Sequence, residues 1–247
     1  MKSNILKYIF VDAGNTRLSF YISHNDKIKF FGSIPTDKAS TANITALIKK
    51  SGCSKIFLCS VVPDITLLFK KIKGYRLYIA GQNVKIPIKS FYDAGDIGMD
   101  RLVGAYAARR INKSTRLIID FGTAITFDFL SAKGEYLGGM ILPGIGSSLT
   151  VLSGCALLPD KIHLGRLRKS IPRNTVDSIN KGIIEGFSFM INSLVKEYSG
   201  TLKFTKNEVP VITGGDAEFI CKMLNFKYIY EPDLVIRGLK ILSAKLI

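Results

Sequence analysis

Long apolar runs are the first thing missing from these 247 residues. No stretch approaches the roughly 20 apolar residues of a membrane span, so no membrane segment is expected. A secretory leader is missing too. The opening MKSNILKYIFVDAG carries a lysine but meets an acid before any long apolar region, and no small-residue cleavage site follows. It reads as a first strand, and the expected compartment is the cytoplasm. Cysteine and histidine are scarce. Cys53, Cys59, Cys155 and Cys221 form no CxxC, and His24 and His163 stand far from them in sequence. That leaves no zinc-type ligand spacing, and the cysteines read as small buried hydrophobes. Acids are few as well: 19 Asp+Glu against 35 Lys+Arg give a net charge of +16. The basic residues are dispersed, with RLRKS at 166–170 the densest cluster containing arginine. There is no basic arm or RNP-like pattern, which argues against a nucleic-acid partner. A basic surface of this kind attracts anionic substrates such as nucleotides without selecting one.

What is present is an alternating pattern in a chain long enough for one large domain or two ordinary ones. ILKYIFVDAG, LSFYIS and IKFFGSI read as three consecutive strands, joined by NTR and by the turn-forming HNDK at 24–27. Residues 40–51 read as a helix, KIFLCSVV as a buried strand and VPDITLLFKKIKG as a helix stopped at Gly74. RLYIA is a strand, and GMDRLVGAYAARR is a helix with Asp100 and Arg101 in its first turn. The pattern then restarts at residue 116. RLIIDFG, AITFDFL and YLGGMIL read as strands, and LPGIGSSLTVL opens a helix near 145. NTVDSINKGIIEGFSFMINSLVKEYSG reads as a long helix with Thr175 near its start. VPVITGGDAEFICKML is strand, glycine turn and helix, and LVIRGLKILSAKL is a final amphipathic helix. Three strands followed by alternating helix and strand, twice over, predict an internal duplication. The expectation is an α/β protein with one domain over 1–112, a similar one over 113–247, and a cleft between them.

Two hairpins carry the chemistry. In VDAGNTRLSF a strand ends in Asp12, Gly14 allows a tight turn and close backbone approach, and Asn15 and Thr16 offer polar groups. Backbone N–H groups on such a turn can cradle phosphate, and the acid suits a cation or its bound water. D-x-G-N is also ordinary hairpin chemistry, so this motif alone selects nothing. The second copy, Asp120-Phe121-Gly122-Thr123-Ala124, changes the balance, because two such hairpins can grip one polyphosphate. A third element, Gly98-Met99-Asp100-Arg101, lies at a helix start, where anions are favoured. Asp100 can cap that helix or accept a proton from a substrate hydroxyl. Arg101 can fork onto a carboxylate or keep Asp100 ionised. Gly138, Gly139 and Gly144 suit either close packing or ligand approach.

In order, DAGNTRLSF, GMDRLVGAYAA, IDFGTAITFD, YLGGMILPGIGSSLTVL, NTVDSINKGI and VITGGD resemble the motifs of type III pantothenate kinases, from about residue 8 to residue 240. That family belongs to the acetate-kinase, sugar-kinase, Hsp70 and actin superfamily. The resemblance implies two similar ribonuclease-H-like (actin-like ATPase) domains, and an enzyme that moves the γ-phosphate of ATP to pantothenate in coenzyme A synthesis. It implies that Asp12, Ala13, Gly14, Asn15, Thr16, Arg17, Leu18 and Ser19 hold the ATP phosphates, with Asp12 near Mg²⁺. Tyr92, Gly98, Met99, Asp100 and Arg101 would contact pantothenate, with Asp100 as general base. Asp120 would bind a monovalent cation, K⁺ or NH₄⁺, and Thr123 would touch ATP. Thr175 would contact pantothenate from the partner subunit of a homodimer, and Gly214 and Gly215 would lie near the nucleotide.

The sequence departs from the family where a tyrosine and then a proline usually precede G-x-D-R. Phe91 takes the tyrosine position, with Tyr92 beside it, and Ala94 replaces the proline. A hydroxyl contact is then either lost or supplied by Tyr92. Two other readings are a related small-molecule kinase and a non-catalytic transcriptional accessory factor of the same family. The presence of Asp12, Asp100, Asp120 and Thr123 favours an enzyme.

Overall fold

In the computed structural model, whose described residues are 8–24, 27–93, 95–155 and 170–246, the chain forms two five-stranded sheets. The turn at Asn25–Asp26, Ala94, His163 and residues 166–169 of the basic cluster lie outside the described residues. The first sheet has the order β3-β2-β1-β4-β5, from β1 (Tyr8–Ala13), β2 (Arg17–His24), β3 (Lys27–Pro35), β4 (Lys55–Ser60) and β5 (Arg76–Ile79). β1, β2 and β3 pair antiparallel, while β4 and β5 add parallel to β1. The second sheet has the order β10-β9-β6-β7-β8, from β6 (Leu117–Phe121), β7 (Ala124–Leu130), β8 (Tyr136–Pro143), β9 (Val211–Thr213) and β10 (Ile229–Tyr230). Read from its other edge, this is the order of the first sheet. β7 is again antiparallel to the central strand, and β9 and β10 again continue in parallel. The expected duplication is therefore present in topology. The two-residue β10 is not visible in the sequence pattern, being too short to show a period.

The helices follow local signals. Ser40 and Asn43 form a reciprocal capping box at the start of α1 (Thr41–Ser51), and Gly52 closes it with φ 64°. Pro63 opens α2 (Pro63–Lys71), where a missing N–H costs nothing. That helix ends at Lys71 rather than at Gly74. Gly74 instead takes φ 86° in the turn into β5. α3 (Met99–Ile111), α4 (Ile145–Ser153), α5 (Thr175–Thr201), α6 (Ala217–Cys221) and α7 (Leu234–Ser243) complete the set. Lys49 and Lys50 end α1, Lys70 and Lys71 end α2, Arg109 and Arg110 end α3, and Lys240 lies in the last turn of α7. Part of the positive charge is thus set against negative helix ends.

The chain divides into two compact units whose bounds differ from the expected 1–112 and 113–247. One unit holds residues 1–113, 133–137 and 233–247, and the other holds 114–132 and 138–232. The last helix belongs with the first sheet for a packing reason. Val235, Ile236, Leu239 and Leu242 of α7 are buried with Tyr8, Phe10, Phe57 and Val103 in one cluster. A side chain at Gly238 would sit 2.5 Å from Val103 Cγ1 and 2.7 Å from Val103 O, so α7 and α3 meet at backbone distance. The Tyr21 hydroxyl also donates to Asp233 Oδ1 at 2.7 Å, just ahead of α7. An amphipathic pattern shows that a helix has an apolar face, but not which sheet it covers.

Candidate active site

Asp12 and Asp120 occupy the same place in the two sheets. Each is the penultimate residue of the central strand. Asp12 lies opposite Ser19 on the antiparallel side and Cys59 on the parallel side, and Asp120 lies opposite Thr126 and Thr213. The turn after each acid is braced in the same way. Gly14 N–H donates to Arg17 O at 3.0 Å, and Gly122 N–H donates to Ala124 O at 3.1 Å. The residue following each third strand then pins the turn: Thr36 N–H donates to Thr16 O, and Gly144 N–H to Thr123 O, both at 3.0 Å. The Thr36 hydroxyl adds a bond to Gly14 O at 2.8 Å. Asn15, Thr16, Arg17 and Thr123 are exposed, and Gly14 and Ser19 are half-buried. Ala13 and Leu18 turn their side chains into the core, leaving only backbone groups for a ligand.

In the first unit Asp12 and Asp100 act on the same buried thiol. Burial pushes the Cys59 thiol pKa well up, and the carboxylates of Asp12 and Asp100 raise it further. Two acids from separate elements thus direct negative charge at the end of β4. Asp100 Oδ1 accepts the N–H of the adjacent Arg101 at 2.8 Å, while the helix N-cap, Gly98, has no side-chain cap. That carboxylate occupies the space beside Gly98, where an added Cβ would lie 2.5 Å from Asp100 Oδ1. Met99 turns away and packs its thioether on Gly81, which has φ 79°. Arg101 is buried, at 9% exposed. Its guanidinium lies against Tyr92, whereas Phe91 is 58% exposed beneath the Lys89 ammonium. Tyr92, not Phe91, is therefore the aromatic that accompanies the G-x-D-R turn.

In the second unit the turn at Asp120–Thr123 is enclosed by glycines. A Cβ at Gly214, which has φ 94°, would lie 2.5 Å from Asp120 Oδ1, and one at Gly144 would lie 2.5 Å from Thr123 O. Gly215, by contrast, has open space around it. The Ser147 hydroxyl donates to Thr123 O at 2.7 Å. Asp216 closes the group. Its N–H donates to Phe121 O at 3.0 Å, and its Oδ2 accepts from Gly146 N–H at 3.4 Å. Burial raises the Asp216 pKa above the ordinary 3.8, the Gly146 N–H lowers it, and Glu218 adds to the rise. A carboxyl raised in the folded state holds its proton longer folded than unfolded. Stability is therefore drawn down as pH climbs from the ordinary value through the raised one. Asp216→Asn keeps the acceptor and removes the charge. Its melting temperature relative to the parent is expected to be higher at pH 7 than at pH 4 in paired thermal melts. An identical difference at both pH values would contradict the raised pKa.

Residues 8–197 match the sequence model of the type III pantothenate kinase family. A protein named type III pantothenate kinase from Sulfurihydrogenibium sp. is 31% identical, over 94% of this chain and 98% of its own. Its namesake from Oleidesulfovibrio alaskensis is 34% identical, over 95% of each. The chain belongs to the type III pantothenate kinase family. Solved structures agree on the fold. A Campylobacter jejuni protein named for the Baf family of transcriptional activators superposes with TM-score 0.63 at 21% identity, over 96% of this chain and 98% of its own. MreB5 of Spiroplasma citri bound to AMPPNP superposes with TM-score 0.55 at 13% identity, over 97% and 96%. The two sheets are thus those of an actin-like ATPase fold.

Of the residues that the pantothenate kinase resemblance singles out, Thr175 belongs to the second unit. It is exposed at the first position of α5, after the cap in which Asn174 Oδ1 accepts the Asp177 N–H. Sequence reasoning missed Thr36, Cys59, Tyr136, Ser147 and Asp216. The repeated proline before the pinning residue, Pro35-Thr36 and Pro143-Gly144, was a usable signal for two of the braces. Asp216 directly follows the glycine pair after β9 and could have been found there. Tyr136 carries no local signal, since an aromatic opening a strand reads as core.

Proposed function

We propose that this chain transfers the γ-phosphoryl group of ATP to the primary hydroxyl of pantothenate, the opening step of coenzyme A synthesis. Beside family membership, one observation carries the reading: Asp100, at the start of a helix with a buried arginine, shares its electrostatic surroundings with the acid of a phosphate-type hairpin. Phosphoryl transfer is mostly positioning and charge neutralisation. The turn from Asp12 to Ser19 would hold phosphates through its N–H groups, and Thr123 would contact ATP. Asp100 would take the hydroxyl proton; the Arg101 N–H fixes one of its oxygens and so its rotamer. Arg101 would meet the pantothenate carboxylate.

The donors suit the expected cations. No group of three or more His, Cys, Asp or Glu able to hold a metal forms among the described residues. Mg²⁺ fits that sparse supply, because it keeps waters and takes one or two carboxylates together with substrate phosphates. Asp12 is the natural protein ligand. Asp120 Oδ1, beside the carbonyl of Phe121 where a Cβ at Gly214 would lie, offers hard oxygens to K⁺ or NH₄⁺. When bound, the cations neutralise phosphate charge.

A homodimer is part of the proposal. Gly182, Gly186 and Phe189 follow one stripe of α5, the glycines open to solvent and Phe189 63% exposed, a surface on which a second helix could pack closely. No helix among the described residues is long and apolar enough to cross a membrane. The free cysteines suit a reducing cytoplasm. The test is ADP release with ATP, Mg²⁺ and pantothenate, with K⁺ or Na⁺ as the sole monovalent cation. Turnover that needs both pantothenate and K⁺ is expected. A folded, ATP-binding protein without turnover under either cation would point to another acceptor or to a regulator.

A further inference from the structure

Tyr136 is fully buried at the start of β8, in a segment with an unusual attachment. Residues 133–137 pack with the first unit, although the chain before and after them belongs to the second. Several bonds fasten them there. Tyr136 N–H donates to Lys89 O at 2.8 Å, and Phe91 N–H donates to Tyr136 O at 2.9 Å. Lys89 pairs with Glu135 at 2.9 Å. Gly134, at φ 83°, admits the Arg109 guanidinium where a Cβ would lie 2.7 Å from its Nε. The ring delivered by this clamp faces Arg101. The guanidinium carbon is 5.9 Å from the Tyr136 centroid and 6.0 Å from that of Tyr92, and the two rings meet edge-on at 6.2 Å and 75°.

We propose that Tyr136 is a positioning residue that sets substrate selectivity: with Tyr92 it holds the buried Arg101 guanidinium in place for the carboxylate of the acceptor. The inference rests on the kinase reading above and assigns Arg101 to substrate rather than to Asp100 alone. A guanidinium taken out of water needs compensation. Ring faces supply attraction within about 6 Å while leaving the formal charge intact for an anion. Contact with two rings also restricts the guanidinium's rotation, so less order is lost when a carboxylate binds. The hydroxyl of Tyr136 has no part in this role; its ring does.

Steady-state kinetics with pantothenate and with its neutral primary amide test the assignment in the full chain. Tyr136→Phe is expected to match the parent within about twofold. Tyr136→Leu is expected to raise KM for pantothenate about tenfold, the scale of a desolvated cation–π contact, with kcat nearly unchanged and KM for the amide unmoved. Tyr92→Leu removes the half-buried ring without opening the core, and should show the same selective rise if Tyr136→Leu proves insoluble. Equal losses on both substrates, equal losses in the Phe and Leu variants, or a fall in kcat alone would overturn the proposal. Parent enzyme that turns over pantothenate while the variants show no acid-to-amide selectivity removes only the Tyr136 role. Absence of turnover in the parent removes the kinase reading and this role with it.

Discussion

Asp100→Asn is expected to lower kcat about a thousandfold, the middle of the range for losing a positioned general base, with KM for ATP and pantothenate changed only a few-fold. The substitution is nearly isosteric. Asn Oδ1 can still accept the Arg101 N–H that Asp100 Oδ1 accepts at 2.8 Å, so this local bond in the first turn of α3 is kept. Charge and basicity are what disappear. Burial and two carboxylates keep the Cys59 thiol neutral, so removing one of those charges leaves no repulsion to relieve there and the variant should be about as stable as the parent. Thermal melts alongside the kinetics separate the two effects. A stable variant that keeps more than about a tenth of parental kcat would show that Asp100 is not the base.

Gly144→Ala is expected to cost about 3 kcal/mol, or about 10 °C in melting temperature, and to raise KM for ATP. The glycine is not required by backbone conformation: φ −69° and ψ 166° suit any residue. It is required by proximity, because an added Cβ would fall 2.5 Å from Thr123 O and 2.7 Å from Thr123 C, and closer still to Gly122 O. These are backbone atoms on the hairpin that also bears Asp120, and they cannot swing aside as a side chain would. Gly200→Ala, in the last turn of α5 with open space around it, is the control and should be neutral or mildly stabilising. Equal melting temperatures for the two variants would show that the hairpin can shift to accommodate the methyl group, and close approach would then not be the reason for glycine.

Strand and helix types were readable because their causes are local. Alternation marks β2 and β7, Ser40 and Asn43 mark the start of α1, and glycine marks the turns. The repeated D-x-G pattern pointed to the two hairpins. The register confirms that Asp12 and Asp120 are topological equivalents, since each lies opposite a hydroxyl residue on its antiparallel neighbour. What stayed hidden depends on contacts between distant parts of the chain. Nothing near Tyr136 signals that residues 133–137 leave one unit for the other. Nothing near Cys59 signals that the charges of both Asp12 and Asp100 act on it. The final helix showed an apolar face without an address, and its packing on the first sheet was not legible there. Gly144 was noticed, but its neighbour Thr123 had to be seen before packing on the hairpin could be preferred to ligand approach.

The return of α7 to the first sheet also bears on how the chain is made. The ribosome produces β1 to β5 early, then all of the second unit, and only afterwards the segment from Asp233 that covers Tyr8, Phe10 and Phe57. Domains made from one continuous stretch can fold as they emerge. The first unit cannot do so completely, because the part of its apolar face that α7 covers stays exposed during synthesis of the intervening unit, and a nascent chain stalled before Asp233 would present that part to chaperones.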